Sequence, residues 1–78
     1  MRKIQVLGPG CRNCRNLEAN VREALQQAGV EAEIEKVTDF AEIARMGVMR
    51  TPGLVVDGQV KVFGRVPTVD EIRGILQS

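Results

Sequence analysis

Gly8-Pro9-Gly10-Cys11-Arg12-Asn13-Cys14 decides how this chain is read. A short apolar run, Ile4 to Leu7, leads into it. Beyond it, apolar residues fall at Leu17, Val21, Ala24, Leu25 and Ala28, the spacing of one helix face. The Gly-Pro-Gly segment is therefore a strand-to-helix turn, and both cysteines of the chain lie at it, separated by two residues. That spacing places two sulfurs within bonding reach and sets the first at the positive end of the helix dipole, which favours a thiolate. Such a pair suits reversible disulfide chemistry better than simple core packing. Cys14 extends the apolar stripe backwards from Leu17 and is predicted to turn inward, with Arg12, Asn13 and Arg15 outward. Gly29 stands where a left-handed C-cap is expected.

Downstream, the acidic Glu31, Glu33 and Glu35 are set against the aliphatic Ala32, Ile34 and Val37, which predicts a second strand with one solvated face and these three aliphatics on the other. Its acidic side favours the sheet edge, where charge discourages pairing with other chains. Asp39 and Glu42 have capping-box spacing for a short helix with Phe40, Ile43 and Ala44 on its apolar side, ended by Gly47. Leu54-Val55-Val56 predicts a strand beginning after Pro52, where proline is tolerated. Asp57-Gly58 is a two-residue hairpin turn, from which Val60 to Phe63 returns antiparallel. After the Gly64–Pro67 connector, Thr68 and Glu71 form a second capping box for a helix that buries Ile72, Ile75 and Leu76. Gly74 costs that helix about 1 kcal/mol against alanine, and close packing on the sheet is the expected reason for it. The order is β-α-β-α-β-β-α, in a single domain over residues 1–78. Phe40 and Phe63 are assigned to the core. Met46 and Met49 are assigned to packing near Pro52 or to an apolar rim beside the cysteines.

Composition excludes several functions. Eleven Lys and Arg against ten Asp and Glu give a net charge of +1, with both signs scattered, so no electrostatic footprint for nucleic acid is expected. The chain has no histidine, tryptophan or tyrosine and only two phenylalanines. Cys-His acyl transfer and aromatic stacking platforms are thereby disfavoured. No apolar run suits a membrane span, and the run after Met1-Arg2-Lys3 is too short for a signal peptide. The expected setting is cytoplasmic. There, two cysteines spaced this way indicate redox work or metal handling rather than a structural staple.

With Cys11-Arg12-Asn13-Cys14 after the first strand, Thr51-Pro52 before the third and the Asp57-Gly58 hairpin, the chain resembles the thioredoxin and glutaredoxin superfamily over essentially its full length. The nearest likeness is to the small thioredoxin-like redox-active disulfide proteins of bacteria and archaea. The resemblance implies an α/β, minimal thioredoxin-like fold: a four-stranded mixed sheet in spatial order 2-1-3-4 with helices on both faces. It implies that Pro52 is cis and that its loop lies against the disulfide. Cys11 is then the exposed nucleophile and Cys14 the buried resolving thiol. Thr51 pairs through its backbone with an extended substrate, while Arg12 and Asn13 lie at the substrate contact. The implied activity is thiol–disulfide oxidoreduction or electron carriage between a protein disulfide substrate and an external dithiol reductant, in a monomer without cofactor or metal and without nucleic-acid or membrane partners. The chain departs from typical thioredoxins in having Gly10, not Trp, before Cys11. It departs also in offering only Gln5 on the first strand where they keep a buried acid.

Two rivals stand beside this reading. Two thiolates also suit soft metals such as Cu(I), or arsenite; small copper chaperones, however, follow a β-α-β-β-α-β order. The other rival is a non-catalytic binding module that keeps the fold without turnover.

Overall fold

A computed structural model of the chain describes residues 2–10 and 12–77. The elements follow the predicted order: β1 (Arg2–Leu7), α1 (Arg12–Ala28), β2 (Ala32–Val37), α2 (Phe40–Arg45), β3 (Gly53–Val56), β4 (Gln59–Phe63) and α3 (Val69–Gln77). The sheet runs β2-β1-β3-β4. β1 pairs parallel with β2 and antiparallel with β3, and β3 pairs antiparallel with β4. This is the minimal thioredoxin-like arrangement. β1 is central and the acidic β2 is an edge, as expected.

Local chemistry sets the boundaries. α1 ends in a Schellman motif, with Gly29 at φ 66°. The Gly29 N–H donates to Gln26 O and the Val30 N–H to Leu25 O. α2 ends the same way: Gly47, at φ 84°, donates to Ala44 O, and Val48 donates to Ile43 O. The box that opens α3 is complete. Thr68 Oγ1 accepts from the Glu71 N–H at 3.2 Å, and Glu71 Oε1 accepts from the Thr68 N–H at 3.3 Å. At α2 only half of the predicted box forms. Asp39 Oδ1 accepts from the Ala41 N–H at 2.9 Å, while Glu42 lies 4.0 Å from Arg45 Nη2 instead. Asp57, at φ 52°, and Gly58, at φ 83°, make the tight hairpin. The Asp57 carboxylate also clamps the start of β1, accepting from the Lys3 N–H at 3.0 Å and from Arg2 Nε at 2.9 Å. The Arg2 guanidinium in turn bonds the Leu76 carbonyl at the end of α3.

The sheet is covered on both faces. Ile4, Val6, Leu54 and Val56 meet Leu17, Val21, Ala24 and Leu25 of α1 and Ile72 and Leu76 of α3. On the other face Leu7, Val37 and Val55 meet Ile43 and Val48, with Met46 packed alongside. This division corrects three expectations. Val37 pairs with Leu7 and shares the α2 face with it, whereas Ile34 pairs with Ile4 and faces α1. Phe40 and Phe63 are not core residues, being 62 % and 53 % exposed. α2 is so short that Ile43 is its sole buried residue, and Phe63 stands on the edge strand β4.

Gly74 is the third correction. A Cβ there meets nothing within 4 Å, so close packing is not the reason for glycine. Gly74→Ala is therefore expected to stabilise the protein by about 0.8 kcal/mol, a rise of about 4 °C in melting temperature. An unchanged or lower melting temperature would contradict the open surroundings of this position.

Candidate functional site

The site forms where β1 runs out. The Gly8 N–H donates to Val37 O at 2.8 Å, carrying the β1–β2 ladder one residue past Leu7. Gly8 then takes φ 156° and Gly10 φ 92°, and the chain turns into α1 at Arg12. Cys14, on the buried stripe of that helix, is 5 % exposed. Its side chain rests directly over Gly8. A Cβ built on Gly8 would lie 2.2 Å from Cys14 Sγ and 3.7 Å from Thr51 Cβ. Glycine is thus required here by close approach as well as by backbone angle.

Thr51 comes from the loop before β3, and the Thr51–Pro52 peptide bond is cis. Pro52 is fully buried, and its carbonyl accepts from the Gly64 N–H at 2.9 Å, anchoring the loop to the end of β4. Among the described residues, none bonds the Thr51 main chain. Its polar groups are therefore available to an added strand.

Of the predicted site residues, Cys14, Thr51 and Pro52 converge around Gly8. Arg12 and Asn13 are exposed on the outer side of α1, as the helix period required, along with Arg15. Cys11, the predicted nucleophile, lies outside the described residues. Met46 is half-buried against the smaller core cluster, so it is packing rather than rim. Met49 is 85 % exposed and borders a shallow groove with Phe40, Ala44, Val48 and Thr51, which Cys14 does not line.

Glu18 was not foreseen. It follows Cys14 by one helix turn and lines the same cleft, together with the Gly8–Gly10 turn and Lys36. Its carboxylate takes Lys36 Nζ at 3.0 Å and Arg22 Nη2 at 2.9 Å. Only the four-residue step from Cys14 hinted at this, and nothing in the sequence paired it with Lys36 on β2. The Lys36 ammonium, followed by Arg22, holds the Glu18 carboxyl below its ordinary range. The Lys3 N–H and Arg2 do the same for Asp57, as do Arg65 and the Thr68 N–H for Glu71.

All three acids have folded pKa values below their unfolded ones. Their contribution is complete above the ordinary carboxylate range near about 4 and is lost as pH falls through the depressed values. With no histidine in the chain, no side chain of ordinary pKa titrates between about pH 5 and 8. In a Cys11→Ser variant, which removes the thiol nearest the helix N-terminus, the urea midpoint is thus expected to stay flat from about pH 7.5 to 5.5 and to fall steadily below about 4.5. A midpoint unchanged down to about pH 3 would refute these shifts.

The comparisons with known proteins agree with this geometry. A family model described as "Thioredoxin domain" matches residues 2–77. A thioredoxin of Methanothermobacter thermautotrophicus is 47 % identical over 76 residues, covering 97 % of this chain and 99 % of that protein. A thioredoxin of Methanocaldococcus jannaschii is 41 % identical over 75 residues, covering 96 % of this chain and 86 % of that protein.

Proposed function

The chain belongs to the thioredoxin family, and from that premise we propose that it exchanges a Cys11–Cys14 dithiol for the disulfides of protein partners. The supporting observation is the place of Cys14: buried at the first turn of α1, over Gly8 and beside the Thr51–cis-Pro52 loop. A thiol held there is sheltered from solvent oxidants.

Cys11 is the nucleophile in this reading. The helix N-terminus and the guanidinium groups of Arg12 and Arg15 favour its thiolate. It attacks one sulfur of a substrate disulfide, forming a mixed disulfide and expelling the first substrate thiolate. Cys14 loses its proton and attacks Cys11 Sγ. The second substrate thiolate leaves, and an intramolecular Cys11–Cys14 disulfide remains. Two electrons have passed to the substrate, and an external dithiol returns them. Thr51 offers its main chain to an extended substrate segment, with Pro52 fixing the loop and Arg12 and Asn13 at the rim. The proposed setting is a cytoplasmic monomer.

The test is equilibration of the protein with glutathione and dithiothreitol redox buffers, alongside titration of the Cys11 thiol. A reversible intramolecular disulfide with a Cys11 pKa below about 8.5 supports the cycle. A pair that never closes, with an ordinary thiol pKa, would leave the family fold without its exchange chemistry.

A further inference from the structure

Charge is distributed unevenly over this nearly neutral chain. Among the described residues, seven of the eleven basic side chains sit in ion pairs: Arg2, Lys3, Arg22, Lys36, Arg45, Arg65 and Arg73. The remaining four are Arg12, Arg15, Arg50 and Lys61. Lys61 bonds Gln59 on β4. The other three gather at one end of the sheet. Arg12 and Arg15 lie a helix turn apart on either side of Cys14, and Arg50 precedes Thr51, which abuts the Gly8–Cys14 contact. All three are exposed and have no acidic partner among the described residues.

The acids do not balance them. Glu18, nearest to Cys14 along α1, is shared between Lys36 and Arg22. Asp39 caps α2 through the Ala41 N–H. Glu31 and Glu33, in no ion pair among the described residues, lie just before and within the start of β2, beside Arg2 and Lys3 of β1. That is the opposite end of the sheet from Leu7 and Val37, where the site forms.

We infer that these three arginines select the partner, and that the occupant of this face is a disulfide-bearing polypeptide segment rich in Asp and Glu near its cysteine. The inference rests on the proposed exchange reaction and adds the substrate class to it. Two observations support a polypeptide. Among the described residues none bonds the main chain of Thr51, which suits it to pairing with an extended segment. The arginines, moreover, are spread over two elements rather than focused on one pocket, so they match charge distributed along a chain. Unpaired guanidinium groups around a reactive centre raise the encounter rate with anionic partners and lower it with cationic ones, and salt screens both effects.

The experiment measures exchange of the reduced protein with short peptides carrying one cysteine as a mixed disulfide with 2-mercaptoethanol. One peptide is flanked by Asp and Glu, the other by Lys and Arg. Hydroxyethyl disulfide and oxidised glutathione serve as neutral and small anionic probes. At low ionic strength kcat/KM is expected to favour the acidic peptide by about tenfold or more, a ratio that shrinks toward unity in about 0.5 M salt. In the combined Arg12→Gln, Arg15→Gln, Arg50→Gln variant the ratio should fall below about two.

The ratio separates recognition from thiol activation. If the arginines act only through the Cys11 thiolate, every probe slows alike and the ratio is unchanged, which overturns the inference. A wild-type ratio near unity overturns it as well, while leaving the exchange reaction standing. So does a preference for oxidised glutathione without one for the acidic peptide, since that would identify a small anionic disulfide as the occupant. Failure of all four probes to react would remove the exchange reaction itself and the inference with it.

Discussion

Gly8→Ala is expected to destabilise the protein by about 3 kcal/mol and to uncover Cys14. The new methyl would lie 2.2 Å from Cys14 Sγ, well inside contact distance, so the thiol or the first turn of α1 must move. Such overpacking costs about 1–3 kcal/mol. The backbone adds to it, because φ at Gly8 is 156°, outside the range that side-chain-bearing residues readily adopt, and strain of this kind costs about 1–3 kcal/mol. A domain of this size has only about 4–12 kcal/mol in total, so the substitution removes a large share.

The steric part can be isolated. Cys14→Ala deletes the sulfur and leaves the residue-14 Cβ 3.3 Å from the added methyl, a tight but tolerable approach. Gly8→Ala should then cost at least about 1 kcal/mol less in the Cys14→Ala background than in the parent, read from urea unfolding of all four proteins. Equal costs in the two backgrounds would mean that the sulfur does not rest on Gly8. A second readout concerns reactivity. With Cys11 replaced by serine, alkylation of Cys14 by iodoacetamide should be slow when Gly8 is present and clearly faster after Gly8→Ala, because displacement opens a buried thiol to solvent.

What the sequence disclosed about this site follows from how local each signal is. Cys14 turned inward because its place on the stripe with Leu17 and Val21 is a matter of helix period within one element. The caps at Gly29 and Thr68 and the Asp57-Gly58 turn were equally legible, since each depends on residues within a few positions. Gly8 was visible only as a turn glycine. Its decisive constraint comes from a sulfur on the next element, and sequence spacing carries no such contact. Glu18 and Lys36 likewise meet across α1 and β2. Alternation puts Val37 on the wrong face because apolar residues occupy both parities of a strand whose sheet is covered on both sides. Residue type alone assigns Phe40 and Phe63 to the core. Their exposure is decided by where a short helix and an edge strand leave the sheet uncovered.

That last point sets two substitutions in one helix against each other. Ile43→Ala is expected to cost about 3 kcal/mol, within the usual range for deleting a buried isoleucine. Phe40→Ser, the more drastic change on paper, should stay within about 0.5 kcal/mol, as exposed positions do. Ile43 is 2 % exposed and is the only buried residue of α2. It meets Leu7, Val37, Val48 and Val55 in a cluster far smaller than the one beneath α1 and α3. Few neighbours are available to close the resulting cavity, and α2 has no second anchor. The loss should therefore be concentrated in α2 and the loop that follows it. Amide exchange in residues 40–50 is expected to accelerate more than global unfolding alone accounts for, while α1 stays protected to the global limit. Because Val48 begins the segment leading to Thr51 and Pro52, Ile43→Ala should also weaken partner exchange, with little change in the reaction of Cys11 with a small neutral disulfide. Phe40→Ser should leave stability intact and test only the groove beside Thr51. If Phe40→Ser were instead the costlier change, or if exchange quickened uniformly across the chain in Ile43→Ala, α2 would not hang on the sheet by one side chain.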